Sequence, residues 1–186
     1  MKLRSITYSC AVLLSAFAST SALPHDPPPG GCGSFAGDVA HEMTVMRLPP
    51  VSINATADAA GAQPLLLDEH YAINLIAQNQ LRFRVKPRRA AKSGAPRGGT
   101  FQFQVPVTGR YRVSITSRHW VDVVDGVTAI PSVNHLGPGC DLLHKIVEFD
   151  LASGKIFTLQ LSGQDDAIIG LAITPSPSPP PAQDRT

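Results

Sequence analysis

Apolar and polar residues alternate with period two along most of this chain, and that alternation restricts its fold more than any other feature. Leu81, Phe83 and Val85 interleave with Arg82, Arg84 and Lys86; Phe101, Phe103 and Val105 with Gln102 and Gln104; Tyr111, Val113 and Ile115 with Arg112, Ser114 and Thr116. Successive side chains of an extended strand point to opposite faces, so each run describes a strand with a core side and an outer side. Comparable runs follow at 120–124, 147–151, 157–161 and 169–173, and two further strands are expected near 43–53 and 71–76. Thr108-Gly109, Asp125-Gly126, Ser153-Gly154 and Ser162-Gly163 supply turn residues between them. Eight or nine strands at this spacing predict an all-β fold, an antiparallel sandwich or jelly roll. Helix is not expected: the Ala-rich stretch 54–63 is cut short by Gly61 and Pro64. With 17 Pro and 15 Gly in 186 residues, the composition suits many short strands and turns in one domain.

The first 22 residues read as a secretory leader. Lys2 and Arg4 precede the apolar stretch 6–18, and Ser19, Thr20, Ser21 and Ala22 supply the small residues of a cleavage site after Ala22. The apolar run falls short of the ~20 residues that span a bilayer. A periplasmic or secreted protein is therefore expected, and cleavage removes Lys2, Arg4 and Cys10. What remains holds 14 basic and 14 acidic residues, a balance that argues against nucleic acid as a partner. Two cysteines, Cys32 and Cys140, also remain. In an oxidising compartment they are expected to pair and to close a long loop, worth ~4–5 kcal/mol by chain entropy. Metal ligation by two thiolates is the rival reading. Residues 23–31 read as an extended arm, 32–174 as the single domain, and 175–186, rich in Pro and Ser, as a disordered tail.

Charge is segregated within the domain. From His70 to Val121 there are ten Lys or Arg and no acid, whereas from Asp122 onward eight acids stand against Lys145, Lys155 and Arg185. The basic stretch Arg82 to Arg97 is either a solvated loop beside complementary strands or an anion-binding patch on one sheet face. Trp120, the sole tryptophan, shares a strand face with Asp122. If Val121 and Val123 fill the core, Trp120 and Asp122 form an exposed stacking face. If Trp120 is buried, Asp122 needs a partner such as Lys145 or Arg110. Farther along, His135 and His144 flank Cys140, with Asp141 beside it. With Lys145, Val147 and Phe149 on the core side of one strand, the Lys145 ammonium reaches the rim near His135 and Asp122. Trp120, Asp122, His135 and Lys145 are the candidate binding residues.

Three stretches carry a resemblance: Gly109-Arg-Tyr-Arg-Val-Ser-Ile leading to Trp120-Val-Asp-Val-Val, His135-Leu-Gly-Pro-Gly-Cys140 followed by His144-Lys-Ile-Val-Glu-Phe149, and Phe157-Thr-Leu-Gln-Leu-Ser-Gly163. The Gly-x-Tyr and Leu-x-Leu-Ser-Gly strands resemble the bacterial pre-peptidase C-terminal domain, a β-sandwich. The whole set resembles small secreted bacterial proteins that carry the name homogentisate 1,2-dioxygenase, over 101–174. That name implies a non-haem iron dioxygenase with two His and a carboxylate as ligands. His119, His135 and His144 are the available imidazoles for iron, copper or zinc, and no carboxylate of the set can be matched by position. His41, Met43 and Met46 form a second set suited to copper, although on a strand Met46 faces away from the other two.

No Gly-x-Ser-x-Gly elbow, phosphate loop or Rossmann glycine pattern is present. The sequence therefore reads as a non-catalytic β-sandwich that binds a small ligand or an envelope protein. The alternative is a small metalloprotein of the oxygenase type. The disulfide is the sharpest expectation: alkylation of the denatured, unreduced mature protein should label neither cysteine by intact mass. Labelling of both would refute the bridge.

Overall fold

Eleven strands and one short helix follow in the order α1 (Ala40–Met46), β1 (Val51–Asn54), β2 (Tyr71–Asn74), β3 (Ile76–Ala77), β4 (Arg97–Gln104), β5 (Gly109–Ile115), β6 (Trp120–Asp125), β7 (Thr128–Ile130), β8 (Asn134–Leu136), β9 (Lys145–Leu151), β10 (Ile156–Gln164) and β11 (Ile168–Pro175). The structure, a computed structural model, describes residues 32, 35, 37–61, 63–89, 91, 94–137, 139–140 and 142–177. The expected leader and arm, and the tail from 178, lie outside these residues, as does Asp141.

The strands form two sheets, β1-β2-β11-β5-β9-β8 and β3-β4-β10-β6-β7, antiparallel except for the β1–β2 pair. The fold is thus an all-β sandwich. Its core is the apolar half of the alternation: Phe101, Phe103, Val113, Ile115, Val123, Phe149, Phe157, Leu159, Leu171 and Ile173 all have 1% exposure or less. Each such side chain contributes roughly 1.5–3 kcal/mol by leaving water. Three short strands (β3, β7 and β8) carry the count beyond the expected eight or nine.

Four expectations need correction. The stretch 43–53 is not one strand: α1 occupies its first part and β1 begins only at Val51. Val39, Met43 and Met46 recur at helical spacing, and all three are buried, so this segment follows the 3.6 period. Asp38 Oδ1 accepts from the Ala40 N–H at 2.9 Å, and Pro49 and Pro50 prevent continuation. Nor do residues 81–86 form a strand; they cross the outer face of the five-stranded sheet as an extended strap. Ser162-Gly163 is not a turn but lies inside β10, where the register with β4 shifts between Leu161 and Gln164 and Gly163 adopts φ +91°. Only glycine takes this bulge conformation readily. Finally, Pro175 belongs to β11, opposite Tyr111, and the Ser176 N–H donates to the Arg110 carbonyl at 2.9 Å.

Both outer faces of the sandwich are covered. On the six-stranded sheet, α1 lays Met43, Val45 and Met46 against Ile146 and Ala172, and Phe35, Val39, Leu136 and Leu143 complete a second apolar cluster. The Cys32–Cys140 disulfide, spanning 108 residues, fastens the start of the domain beside this cluster, as counting had suggested. Beneath the helix, Arg112 donates from Nε to Glu148 at 2.7 Å, and from Nη1 to Glu42 at 3.2 Å and to the Asp38 carbonyl at 2.7 Å. On the five-stranded sheet, Gln160 clasps the strap: its Oε1 accepts from the Arg84 and Val85 N–H groups, and its Nε2 donates to the Val85 carbonyl. The alternation at 81–86 therefore marks one side against the sheet and one in water.

Burial alone would raise the Glu148 carboxyl, but hydrogen bonds from Arg112, Asn134 and Ser176 and the Arg112 charge outweigh it and hold it below the usual range. Its contribution is present at neutral pH and is lost as pH falls through that lowered value. Arg112→Met strands two buried carboxylates and should cost about 3–5 kcal/mol in denaturant unfolding. Arg110→Ala, which breaks only the exposed pair with Asp150, should leave the midpoint essentially unmoved.

Candidate functional site

At one end of the sandwich, the ends of β6, β8, β9 and β10 and the strap enclose a cavity of about 480 Å³, within the range of small-molecule sites. Lys145 opens β9 and, with Val147 and Phe149, faces the core side as the alternation requires. Its ammonium therefore sits at the mouth between the sheets. His135, on β8, pairs in register with Val147, and His144 immediately precedes β9. Gly139 packs so tightly on this segment that a Cβ there would meet the Leu143 carbonyl and the His144 backbone at 2.2–2.3 Å. Trp120 opens β6 opposite Ser162 of β10, next to the Gly163 bulge.

Cations dominate the lining. Arg89 from the strap, Arg118 from the β5–β6 connection and Lys145 meet there with His135, His144, Trp120, Ser132, Ser162 and Gln164. The Arg89 guanidinium lies 4.6 Å from the Trp120 ring centroid and Lys145 Nζ lies 5.9 Å from it, both within cation–π range. No acidic residue lines the cavity among the described residues. Burial, followed by the charge of Arg89, pushes the Lys145 ammonium down to about 8. The His144 imidazole is lowered by burial and then by the Arg118 and Lys145 charges. The Ser162 hydroxyl, on a residue with 1% exposure, has no hydrogen-bond partner among the described residues.

Three of the four expected binding residues, Trp120, His135 and Lys145, come together here, and His144 with them. Asp122 does not line the cavity. Val121 and Val123 do fill the core, yet Asp122 is only 4% exposed, because the strap covers the face that the sequence had left open. Its Oδ1 accepts from the Trp120 indole N–H at 3.0 Å, so it positions the ring. Neither Lys145 nor Arg110 is its partner: Arg110 donates to Asp150 at 2.9 Å. Burial raises the Asp122 carboxyl, opposed by the indole N–H and then by Arg88.

The basic stretch Arg82 to Arg97 is not a single charged face. Arg84 pairs with Asp58 at 3.6 Å, Arg97 donates to the Leu75 carbonyl at 3.0 Å, and among the described residues of the stretch Arg89 alone lines the cavity. Arg89 belongs to the basic run that the sequence offered as an anion-binding patch, whereas Arg118, Ser162 and Gln164 escaped sequence reasoning; only the Arg118-His119-Trp120 adjacency signalled any of those three.

The metal set does not assemble. His119 is fully buried, with Nδ1 on the Ser117 hydroxyl at 2.8 Å and Asp166 Oδ2 3.7 Å from the same nitrogen. Its imidazole is lowered chiefly by burial. Because Ser117 and Asp166 address one nitrogen, these residues do not form a serine–histidine–aspartate relay, which needs both ring nitrogens. His135 and His144 instead share a cavity with three cations. No group of three or more His, Cys, Asp or Glu is placed to hold a metal among the described residues. Among the described residues, which leave out Asp141, the donors do not fit the two-His-plus-carboxylate iron site that the resemblance implied, and Cys32 and Cys140 are spent in the disulfide. The copper set fails likewise: His41 turns outward to Asp68 at 2.7 Å, while Met43 and Met46 are buried.

No protein family, curated protein or solved structure matches the chain. The site's own geometry carries the functional argument.

Lys145 gives a direct check on that geometry. Its ¹³Cε resonance should titrate near pH 8, well below the ordinary lysine range of about 10.4. Because the folded value is depressed, the cost of the buried ammonium is present below pH 8 and is relieved as pH rises from 8 toward the unfolded value. Lys145→Met should therefore raise the melting temperature at pH 7 and flatten its change between pH 8 and 10.

Proposed function

We propose that the chain is an exported, non-catalytic binding module whose site takes a small organic anion. The observation that carries this reading is the cavity itself: Arg89, Arg118 and Lys145 converge on it with no acidic lining among the described residues. Three like charges held together repel one another, and a bound anion relieves that repulsion. Guanidinium forks match the geometry of carboxylate and phosphate oxygens. Trp120, Val121 and Val147 supply apolar surface for a carbon skeleton. Binding rather than turnover is favoured by the Ser117–His119–Asp166 arrangement, which lacks an activated nucleophile. Export is supported by the leader-like residues 1–22 and by the disulfide, a bond that persists in oxidising compartments. No helix of the described residues is long and apolar enough to cross a membrane.

Trp120, as the sole tryptophan, reports on its own site. Titration with succinate or inorganic phosphate should give a saturable change in its fluorescence that weakens with added salt, whereas succinamide should give none. Arg118→Glu should abolish the response without changing the melting temperature appreciably, since Arg118 is exposed. An equal response to succinamide, or no response to any anion, would overturn the reading.

A further inference from the structure

We infer that Lys145 is a covalent anchor, and that the cavity captures small organic acids bearing an aldehyde or ketone carbonyl as a reversible imine on its Nζ. This inference rests on the anion-binding reading and deepens it by naming the ligand class.

The geometry points to the amine. Lys145 is half-buried and lines the cavity, and its Nζ makes neither a hydrogen bond nor an ion pair with any described residue. The other lysines of the described fold, Lys86 and Lys155, are exposed, and Lys155 is paired with Asp125. A lysine that is partly desolvated, lacks a carboxylate partner and stands near other cations loses its proton readily and becomes a nucleophile. Arg89 supplies the neighbouring charge and also lies over the Trp120 face. The same cavity holds Arg118 to receive a carboxylate, and His135 and His144 to carry protons.

The step balances without an oxidant or reductant. The ammonium first gives a proton to solvent or to an imidazole, leaving a free electron pair on Nζ. That pair attacks the carbonyl carbon, forming the C–N bond as the C–O π bond breaks, and the oxygen takes a proton to give a carbinolamine. Loss of the nitrogen proton and of the protonated hydroxyl as water leaves the imine. One amine and one carbonyl give one imine and one water, and hydrolysis returns both. The carboxylate on the guanidinium holds the carbonyl in reach, which is worth most where the amine is fixed at the head of a strand.

The test traps the imine by reduction. Mature protein is incubated with glyoxylate and sodium cyanoborohydride at pH 8, then mapped by peptide mass. A group titrating near 8 is about half free amine at that pH, whereas an ordinary lysine is under about 1% free. Lys145 should therefore acquire a carboxymethyl adduct more than about tenfold faster than Lys155, and excess succinate should suppress it. Pyruvate should give the corresponding adduct at the same residue. Lys145→Arg should lose the adduct. Labelling spread over Lys86 and Lys155 in proportion to exposure, or no label on Lys145, overturns the inference. If succinate binds while Lys145 stays unlabelled, covalent capture fails and the anion site stands; if succinate does not bind, the underlying reading fails as well.

Discussion

Arg112 lies out of water between Glu42 and Glu148, and one whole side of the molecule depends on that contact. A strand of a sandwich ordinarily turns its polar residues to solvent. Here Arg112 of β5 and Glu148 of β9 face outward, yet α1 covers them and brings Glu42 as a second carboxylate, itself hydrogen-bonded by Thr174 at 2.9 Å. A lone charge in that position would be expelled; the triad makes the covering helix possible and fixes where it sits. With α1 in place, Ile146 and Leu143 have an apolar partner on the outer face, and the disulfide closes beside them. That packing sets the path from Cys140 into β9, and so sets where Lys145 and His144 emerge. The cationic cavity at the end of the sheets follows from a salt bridge on the face opposite the core.

The strap does for the other sheet what the helix does for this one. It uses backbone groups rather than charge: the two N–H donors and one carbonyl that meet Gln160 replace the water that this amide would otherwise hold. Thr158, Gln160, Ser162 and Asp122 leave solvent as a consequence. Arg89, just beyond the strap, then lies on Trp120, whose indole N–H is held at the ring's edge by Asp122. The guanidinium on the ring face and the carboxylate at its N–H edge together join this segment to β6. The Gly163 bulge contributes on the same side, since re-aiming a strand next to a site is a common use of bulges.

The strands were legible because each one buries only one face in the core, and period two records that directly. Phe101 and Phe103, Tyr111 to Ile115, and Phe157 to Leu161 lie where the alternation put them. The same signal misled at 81–86, because an extended segment lying on a sheet alternates in exposure as a paired strand does, without the ladder. It misled again around Met43, where three buried residues at helical spacing are too few to stand out from a short apolar run. The site was half legible. Trp120, His135 and Lys145 were found because they start or flank strands that end at one rim. Arg89 was read only as one of a basic run, and Arg118 was not found, because a loop arginine has no pattern in sequence and where it points is decided by tertiary contacts.

Asp122 and Lys145 show why residue type alone could not assign the roles. A carboxylate and an ammonium near one rim can pair, and that was one of the two outcomes the sequence left open. In the fold, β6 and β9 belong to different sheets: Asp122 accepts the indole N–H at the edge of the Trp120 ring, and the Lys145 ammonium lies 5.9 Å from that ring's centroid. Both are then poorly compensated: burial raises the acid and lowers the amine. Either shift disfavours the charged form and so weakens the ligand-free fold at neutral pH. A ligand that supplies a negative charge in front of the ring removes the ammonium's share of that cost, and by linkage its binding stabilises the fold as RT ln(1 + [L]/Kd). The uncompensated Lys145 ammonium thus gives this end of the sandwich its reason to hold an anion.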